Sequence, residues 1–477
     1  MKKEKFETII LEKPLDPPRL VFGDGEYHDP ILGLEYLRYK PYKVDSRIKE
    51  RGARLLVLVP TNLEKDQKIL ELILKDLIDG MPMDERYKRY YIRSRWWGYG
   101  EVYGINLEYE IEKYSWQQGD ISSLVKKIKE EAGIRPRNYD LILIYLPLDV
   151  RSPLGGPYYR IKAQSILNKI QTQILLRKNL YYYGKCREKR NTNLNEYRAY
   201  GDFLWNFSLS IFVKLGGIPW RLKEVIPNIA GFIGLATIVT SKSTGRYEKS
   251  GIAAVQIYNA WGEYVTSART KIAIITKGRK TWLDPEKIKD LVLSVAIKIK
   301  SFPRVDMENN YVIIHVTDLY KEEVKKTMVE AVKDVGFKKV KLIRVQEEGS
   351  LRLYNQSREK SVQRWPPLGT YWFLEEKRLA QLFTTGKWQY MPPPREPYSI
   401  PWFTCSPIQI SLEGPLEEEL TKHDLKCILW LTYLHPYSGD LPRIRMPVNL
   451  RMARRLAKIV ASEDLGEQEI PDISYLY

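Results

Sequence analysis

Tyr139-Asp-Leu-Ile-Leu-Ile-Tyr-Leu146 is a near-continuous apolar run. A strand of that composition is buried on both faces, which demands helices above and below its sheet. The preceding sequence supplies matching elements. Arg54-Leu-Leu-Val-Leu-Val59 reads as a second short buried strand. In residues 63–79, Ile69, Leu70, Ile73, Leu74 and Leu77 recur at helical spacing, and Gly80 ends the element. Ser122-Ser-Leu-Val-Lys-Lys-Ile-Lys129 predicts another helix, stopped by Gly133. Strands alternating with helices imply a parallel α/β sheet with a binding crevice at the strands' carboxyl ends. The Pro- and Gly-rich loop 147–157 leaves that end and delivers Tyr158 and Lys162.

The second half reads differently. Three strand-like runs, 229–240, 251–258 and 264–275, follow closely. A helix begins at Asp284-Pro285-Glu286, with Asp as N-cap and Pro at the first position. Then come a strand, Tyr311-Val-Ile-Ile-His-Val316, and a helix over 321–335. That element order is the order of an RNase H-like domain. A chain of 477 residues has room for two or three compact domains. Residues 1–50, with many prolines, read as an N-terminal arm, 51–222 as the first domain and 223–477 as the second.

Charge narrows the function. Lysine and arginine number 77 against 59 acids, a net +18 that favours a polyanion or an anionic surface. Between 151 and 223 the basic residues outnumber acids fourteen to three. The Arg93-Ser-Arg-Trp-Trp97 cluster suits base stacking or a half-buried strand equally. Cys186, Cys405 and Cys427 show no paired spacing, and His28, His315, His423 and His435 no metal-ligand pattern. The N-terminus lacks the apolar stretch of a signal peptide, and no run approaches the ~18 apolar residues of a spanning helix. The expectation is a cytoplasmic protein that does not itself insert into membranes.

A terminal phosphate carries nearly two negative charges and is held by cations with neutral donors that fix its geometry. Tyr158 and Lys162, four apart on one helix, present a phenol and an ammonium together. Gln173 adds an amide, with Gln171 an alternative, and Lys214 a second ammonium. Lys214 lies in Phe212-Val-Lys-Leu-Gly-Gly-Ile-Pro-Trp220, just before the apolar strand Gly231-Phe-Ile-Gly-Leu-Ala-Thr-Ile-Val239.

In this order the pieces resemble the junction between the MID and PIWI domains of Argonaute proteins. The resemblance runs from about residue 50 to 477 and is most specific over 158–240. It implies a Rossmann-like MID domain followed by an RNase H-like PIWI domain. The chain leaves little room for further Argonaute domains, so it looks like a short prokaryotic Argonaute. Tyr158, Lys162, Gln173 and Lys214 then match the pocket for the guide strand's 5′ phosphate, with Tyr158 able to stack on the first base.

Argonautes that cut use a carboxylate cluster to hold two metal ions. The family's first strand reads Ile-Gly-Ile-Asp, and here it is Ile233-Gly-Leu-Ala236, whose methyl cannot ligate magnesium. The family's His-Arg-Asp-Gly run corresponds to His315-Val-Thr-Asp318, which aligns Thr317 with the aspartate. Neighbouring Asp318 would point to the opposite face unless the strand has already ended. Arg454, in Met452-Ala-Arg-Arg-Leu-Ala457, falls at the fourth position. Glu248 and Glu263 are candidates for the loop glutamate only by being acidic. The expectation is a nuclease fold without slicer activity.

The family further implies a short guide, RNA or DNA, a complementary invader DNA, and an associated effector. Such effectors consume NAD, cut nucleic acid or attack the membrane. Some members hold a magnesium ion (Mg2+) between guide phosphate and C-terminal carboxylate, which here is that of Tyr477. Two other readings stand beside this one: an active guide-directed endonuclease and a guide-independent single-strand-binding protein.

Overall fold

The computed structural model describes residues 13–30, 33–34, 37–81, 95–117, 120–134, 137–149, 154–240, 248–277, 280–347, 366–374, 378–384, 406–435 and 445–462. Two compact units emerge. The first comprises Arg19–Lys223, Ile238–Thr240 and Arg455–Tyr477, the second Met1–Pro18, Glu224–Thr237 and Ser241–Arg454.

The first unit opens with two-residue strands β1 (Leu20–Val21) and β2 (Glu26–Tyr27) and helix α1 (Ser46–Arg51). Its main elements follow as β3 (Ala53–Pro60), α2 (Glu64–Asp79), α3 (Tyr99–Tyr103), β4 (Leu107–Tyr114), α4 (Ser122–Gly133), β5 (Leu141–Leu146), α5 (Pro157–Leu167), β6 (Gln171–Leu176), α6 (Arg177–Lys189), α7 (Leu194–Lys214) and β7 (Arg221–Leu222). Strands β4-β3-β5-β6 form a parallel sheet in that order. Every residue of β5 is buried, as its composition requires. Leu56, Leu58, Ile142, Ile144 and Leu146 pack with Leu124 and Ile128 of α4 and Ile161 of α5. Each such side chain contributes about 1.5–3 kcal/mol on burial. Gly80 stops α2 at φ 90°, where a Cβ would meet the Trp97 carbonyl oxygen at 2.7 Å.

The residues assigned by sequence to an arm are partly built in. β1 pairs with β2 and β7 antiparallel, and Leu20 and Phe22 are buried. Two-residue strands leave no periodic trace, so nothing in the pattern announces them. In the Arg93–Trp97 cluster, Trp96 is a core residue whose indole N–H donates to the Leu77 carbonyl at 2.8 Å.

The second unit holds β8 (Ile229–Val239), β9 (Glu248–Asn259), β10 (Tyr264–Lys277), β11 (Lys280–Leu283), α8 (Pro285–Lys300), β12 (Tyr311–Val316), α9 (Glu322–Asp334), β13 (Lys339–Gln346), β14 (Tyr371–Leu374), β15 (Leu379–Leu382), β16 (Ile408–Gly414), α10 (Lys422–Tyr433) and α11 (Val448–Val460), the last running on into the first unit. One sheet runs β11-β10-β9-β8-β12-β13-β16-β15-β14. β12 is parallel to β8 and β13, and the pairs on either flank are antiparallel at β9–β10–β11 and β13–β16–β15–β14. Ile233, Leu235, Ile314 and Val316 face the apolar sides of α8 and α9. On the other face, Lys341 of β13 is paired with Asp424 of α10 at 2.8 Å, both almost fully buried. Mixed α/β layering of a parallel sheet and a larger mixed sheet is the architecture expected from the sequence.

Candidate functional site

α5 starts where the loop from β5 ends. Gly156 is its N-cap, without a side-chain cap bond, and Pro157 occupies the first turn. One residue on, Tyr158 is buried against the same apolar cluster as Ile161. Its hydroxyl accepts a hydrogen bond from Arg455 Nη2 at 3.1 Å. The Gly155 N–H donates to Ser462 Oγ at 3.2 Å, so Arg455 of α11 bonds the first turn of α5 and Ser462, just past α11, bonds the loop before it. Lys162 lies a helical turn beyond Tyr158, 2% exposed, with its ammonium donating to the Thr172 carbonyl. β6 is an edge strand, which leaves outward carbonyls for such a donor.

The residue after Thr172 is Gln173. Its Oε1 accepts from Lys214 Nζ at 2.7 Å and from Ser210 Oγ at 2.7 Å. Lys214 Nζ also donates to Ser210 Oγ at 2.8 Å. The ammonium, hydroxyl and amide oxygen therefore close a three-membered ring of hydrogen bonds. Lys214 is the last residue of α7 and 2% exposed, and a cation there complements the negative end of the helix dipole. Gly216 follows at φ 83°, and a Cβ on Gly217 would strike the Phe212 ring at 2.3 Å. Those glycines serve the chain reversal rather than a ligand.

Lys162 and Lys214 thus bond consecutive residues of β6, Thr172 and Gln173, with Tyr158 one turn from Lys162. Gln173 rather than Gln171 bears the bond to Lys214, although both project from the same face of β6. Ser210 escaped the sequence reading. Its position four before Lys214 on a helix is the signal that could have found it. Tyr477 lies outside the described residues. The described pocket side chains supply ammoniums, an amide and hydroxyls but no carboxylate, so by themselves they do not fit a magnesium ion. No group of three or more His, Cys, Asp or Glu that could hold a metal occurs among the described residues.

In the second unit, Ala236 is buried in β8. β12 ends at Val316, before Thr317 and Asp318. Asp318 Oδ2 accepts from Thr237 Oγ1 at 2.7 Å, Thr317 Oγ1 at 3.3 Å and the Tyr320 hydroxyl at 3.3 Å. Thr237 follows Ala236 on β8, so its side chain, and the carboxylate it binds, lie on the face away from the Ala236 methyl. Asn449 of α11 packs closely on β8: a Cβ on Gly234 would lie 2.6 Å from its carbonyl oxygen. Asn449 also bonds the buried His315, its Nδ2 standing 3.0 Å from Nδ1. Arg454 is exposed further along the helix, while Leu450, Ala453, Leu456 and Ala457 are fully buried. Glu263 closes the β9–β10 turn, accepting from Asn259 Nδ2 at 3.1 Å. Glu248 opens β9, and residues 241–247 lie outside the described residues.

No protein-family model matches the chain, and a search of curated proteins found no match. Solved structures do match. Clostridium butyricum Argonaute, bound to a guide DNA and a 19-mer target DNA, is similar with 19% identity and a TM-score of 0.64, over 97% of this chain and 54% of that one. An Aquifex aeolicus Argonaute structure gives 15% identity and 0.57, over 98% and 57%. Drosophila Piwi gives 13% and 0.58, over 97% and 56%. The chain spans about half the length of these proteins, and the likeness is one of fold.

Proposed function

We propose, for a chain that carries the Argonaute fold across its MID and PIWI portion, that it anchors the phosphorylated 5′ end of a short guide strand and uses the guide to recognise a complementary strand. The observation that supports this reading is the closed hydrogen-bond ring of Gln173, Ser210 and Lys214, with the Lys162 ammonium bonded to the residue that precedes Gln173 on β6. Two cations suit the double charge of a terminal phosphate, and amide and hydroxyl groups fix its orientation. The Tyr158 ring would stack on the first base while Arg455 holds its hydroxyl. Sequence specificity would come from base pairing, with the protein gripping backbone and end.

The same reading takes the RNase H-like unit as a duplex holder without slicer activity, since Ala236 offers no metal ligand and Asp318 is engaged by three hydroxyls on the opposite side. Guide RNA, target DNA of invaders, and signalling to an associated effector in defence complete the proposal and rest on family resemblance. Binding of strands that differ only in a 5′ phosphate or hydroxyl tests it. The wild type should prefer the phosphate. Equal affinity for both would overturn the pocket, and cut target at a fixed distance from the guide end would overturn the inactive reading.

A further inference from the structure

α6 carries five basic residues and one acid, and its outer face is ordered. Lys178, Tyr182, Lys185 and Lys189 are spaced four, three and four apart, so they form one stripe, and all four are exposed. The stripe is about 16 Å long at 1.5 Å per residue. Among the described residues none of its three lysines has an acidic partner; the helix's one acid, Glu188, stands on its flank. Tyr182 is 54% exposed and rests edge-on against Tyr183 at 4.9 Å. Tyr183 in turn stacks on Phe203 at 3.9 Å, and Phe203 on Phe207 at 5.4 Å. On the inner side, Gly184 lets α2 approach so closely that a Cβ would meet Ile69 at 2.8 Å. The exposed phenol therefore stands on a fixed column of rings with cations before and after it.

We propose that this stripe is a second contact for single-stranded nucleic acid, with Tyr182 stacking on a base and Lys178, Lys185 and Lys189 pairing with backbone phosphates. Alternating cations and a stackable ring match a polyanion whose bases are unpaired, and match a neutral or basic polypeptide poorly. A phenol is neutral at neutral pH, and partial desolvation, with Cys186 and Glu196 beside it, raises that of Tyr182 further. Phe203, beneath Tyr183, and Lys214 sit on the same helix, eleven residues and about 16 Å apart. The inference rests on the proposed guide binding and extends it to the guide's interior.

The test compares a 5′-phosphorylated dinucleotide with a guide-length strand on the full chain. Lys178→Ala, Tyr182→Ala, Lys185→Ala and Lys189→Ala together should weaken the guide-length strand by about tenfold to a hundredfold. The slope of log affinity against log salt should become shallower by about 2, for three lost phosphate contacts. Dinucleotide affinity and the phosphate-to-hydroxyl preference should not change, and Tyr182→Phe should bind as the wild type. Unaltered affinity of the fourfold variant for the guide-length strand overturns the proposal, and is the result expected if α6 docks a protein instead. Loss of dinucleotide binding in that variant also overturns it, because the contact would not be separate from the pocket. Absence of phosphate preference in the wild type would instead remove the pocket reading, and leaves the guide-length comparison to decide the stripe.

Discussion

Lys214 Nζ lies 2.7 Å from Gln173 Oε1, a bond between residues 41 apart that ties the end of α7 to the edge strand of the parallel sheet. Replacing both Lys214 and Lys162 with alanine removes the two buried ammoniums. Charge-assisted hydrogen bonds of this kind contribute about 1.5–3 kcal/mol each. Preference for a 5′-phosphorylated strand should fall at least tenfold, measured by competition between phosphorylated and hydroxyl-ended oligonucleotides.

Ser210→Ala deletes the hydroxyl that bridges the other two groups of the ring. The expected loss is smaller, about 1 kcal/mol or a several-fold drop in guide affinity. Thermal unfolding should shift little, since an alanine suits the helix interior. A variant with unchanged affinity would show that the hydroxyl is incidental.

The Asp76 side chain is 9% exposed and accepts from Arg187 Nε at 2.6 Å and the Tyr200 hydroxyl at 2.9 Å, clamping α2 to α6 and α7. Asp76→Ala leaves a largely buried guanidinium without its anion. The destabilisation should be about 3–5 kcal/mol in urea unfolding. Asp76→Asn keeps acceptor geometry and should cost less.

His315 is fully buried, and burial lowers its pKa from the usual 6.5 to about 4, opposed by the Asn449 hydrogen bond and by Asp424. The unfolded chain therefore binds the proton first as pH drops. Stability should be constant above about pH 6.5 and decline as pH falls towards 4, by on the order of 3 kcal/mol for this group. Comparing unfolding at pH 7 and pH 4.5 in wild type and His315→Gln isolates the contribution. An identical pH slope in both proteins would assign the decline elsewhere.

Ala236→Asp returns one carboxylate to β8, but Asp318 faces the other side of that strand. The variant, loaded with guide and given complementary target with magnesium or manganese, should not cut. Cleavage products of defined length would show that the remaining ligands are present after all.

Much of the architecture was legible because it rests on local periodicity. β3, α2 with its stop at Gly80, β5 and β12 fall close to where the hydrophobic pattern put them. Asp284 caps α8, accepting from the Lys287 N–H at 3.5 Å. The i, i+4 pair Tyr158 and Lys162 was legible for the same reason. What escaped depends on distant partners. β1 and β7 find each other across some 200 residues, and the choice of Gln173 over Gln171 is made by Ser210 and Lys214 on another element. Strand alternation could not orient Asp318 either, because β12 had already ended and the Thr237 hydroxyl determines where the carboxylate rests.

α7 is a rod of 21 residues, about 31 Å long, with its aromatic column near the middle and Lys214 at the tip. A tilt of roughly 2° at the far end would carry the tip through about 1 Å, enough to stretch a 2.7 Å bond past useful range. Grip on a ligand at the tip is therefore governed partly by how tightly the shaft is seated. Substitutions at Phe203 or Phe207, about 16 and 10 Å along the helix from Lys214, should register as altered recognition at the tip before they register as unfolding.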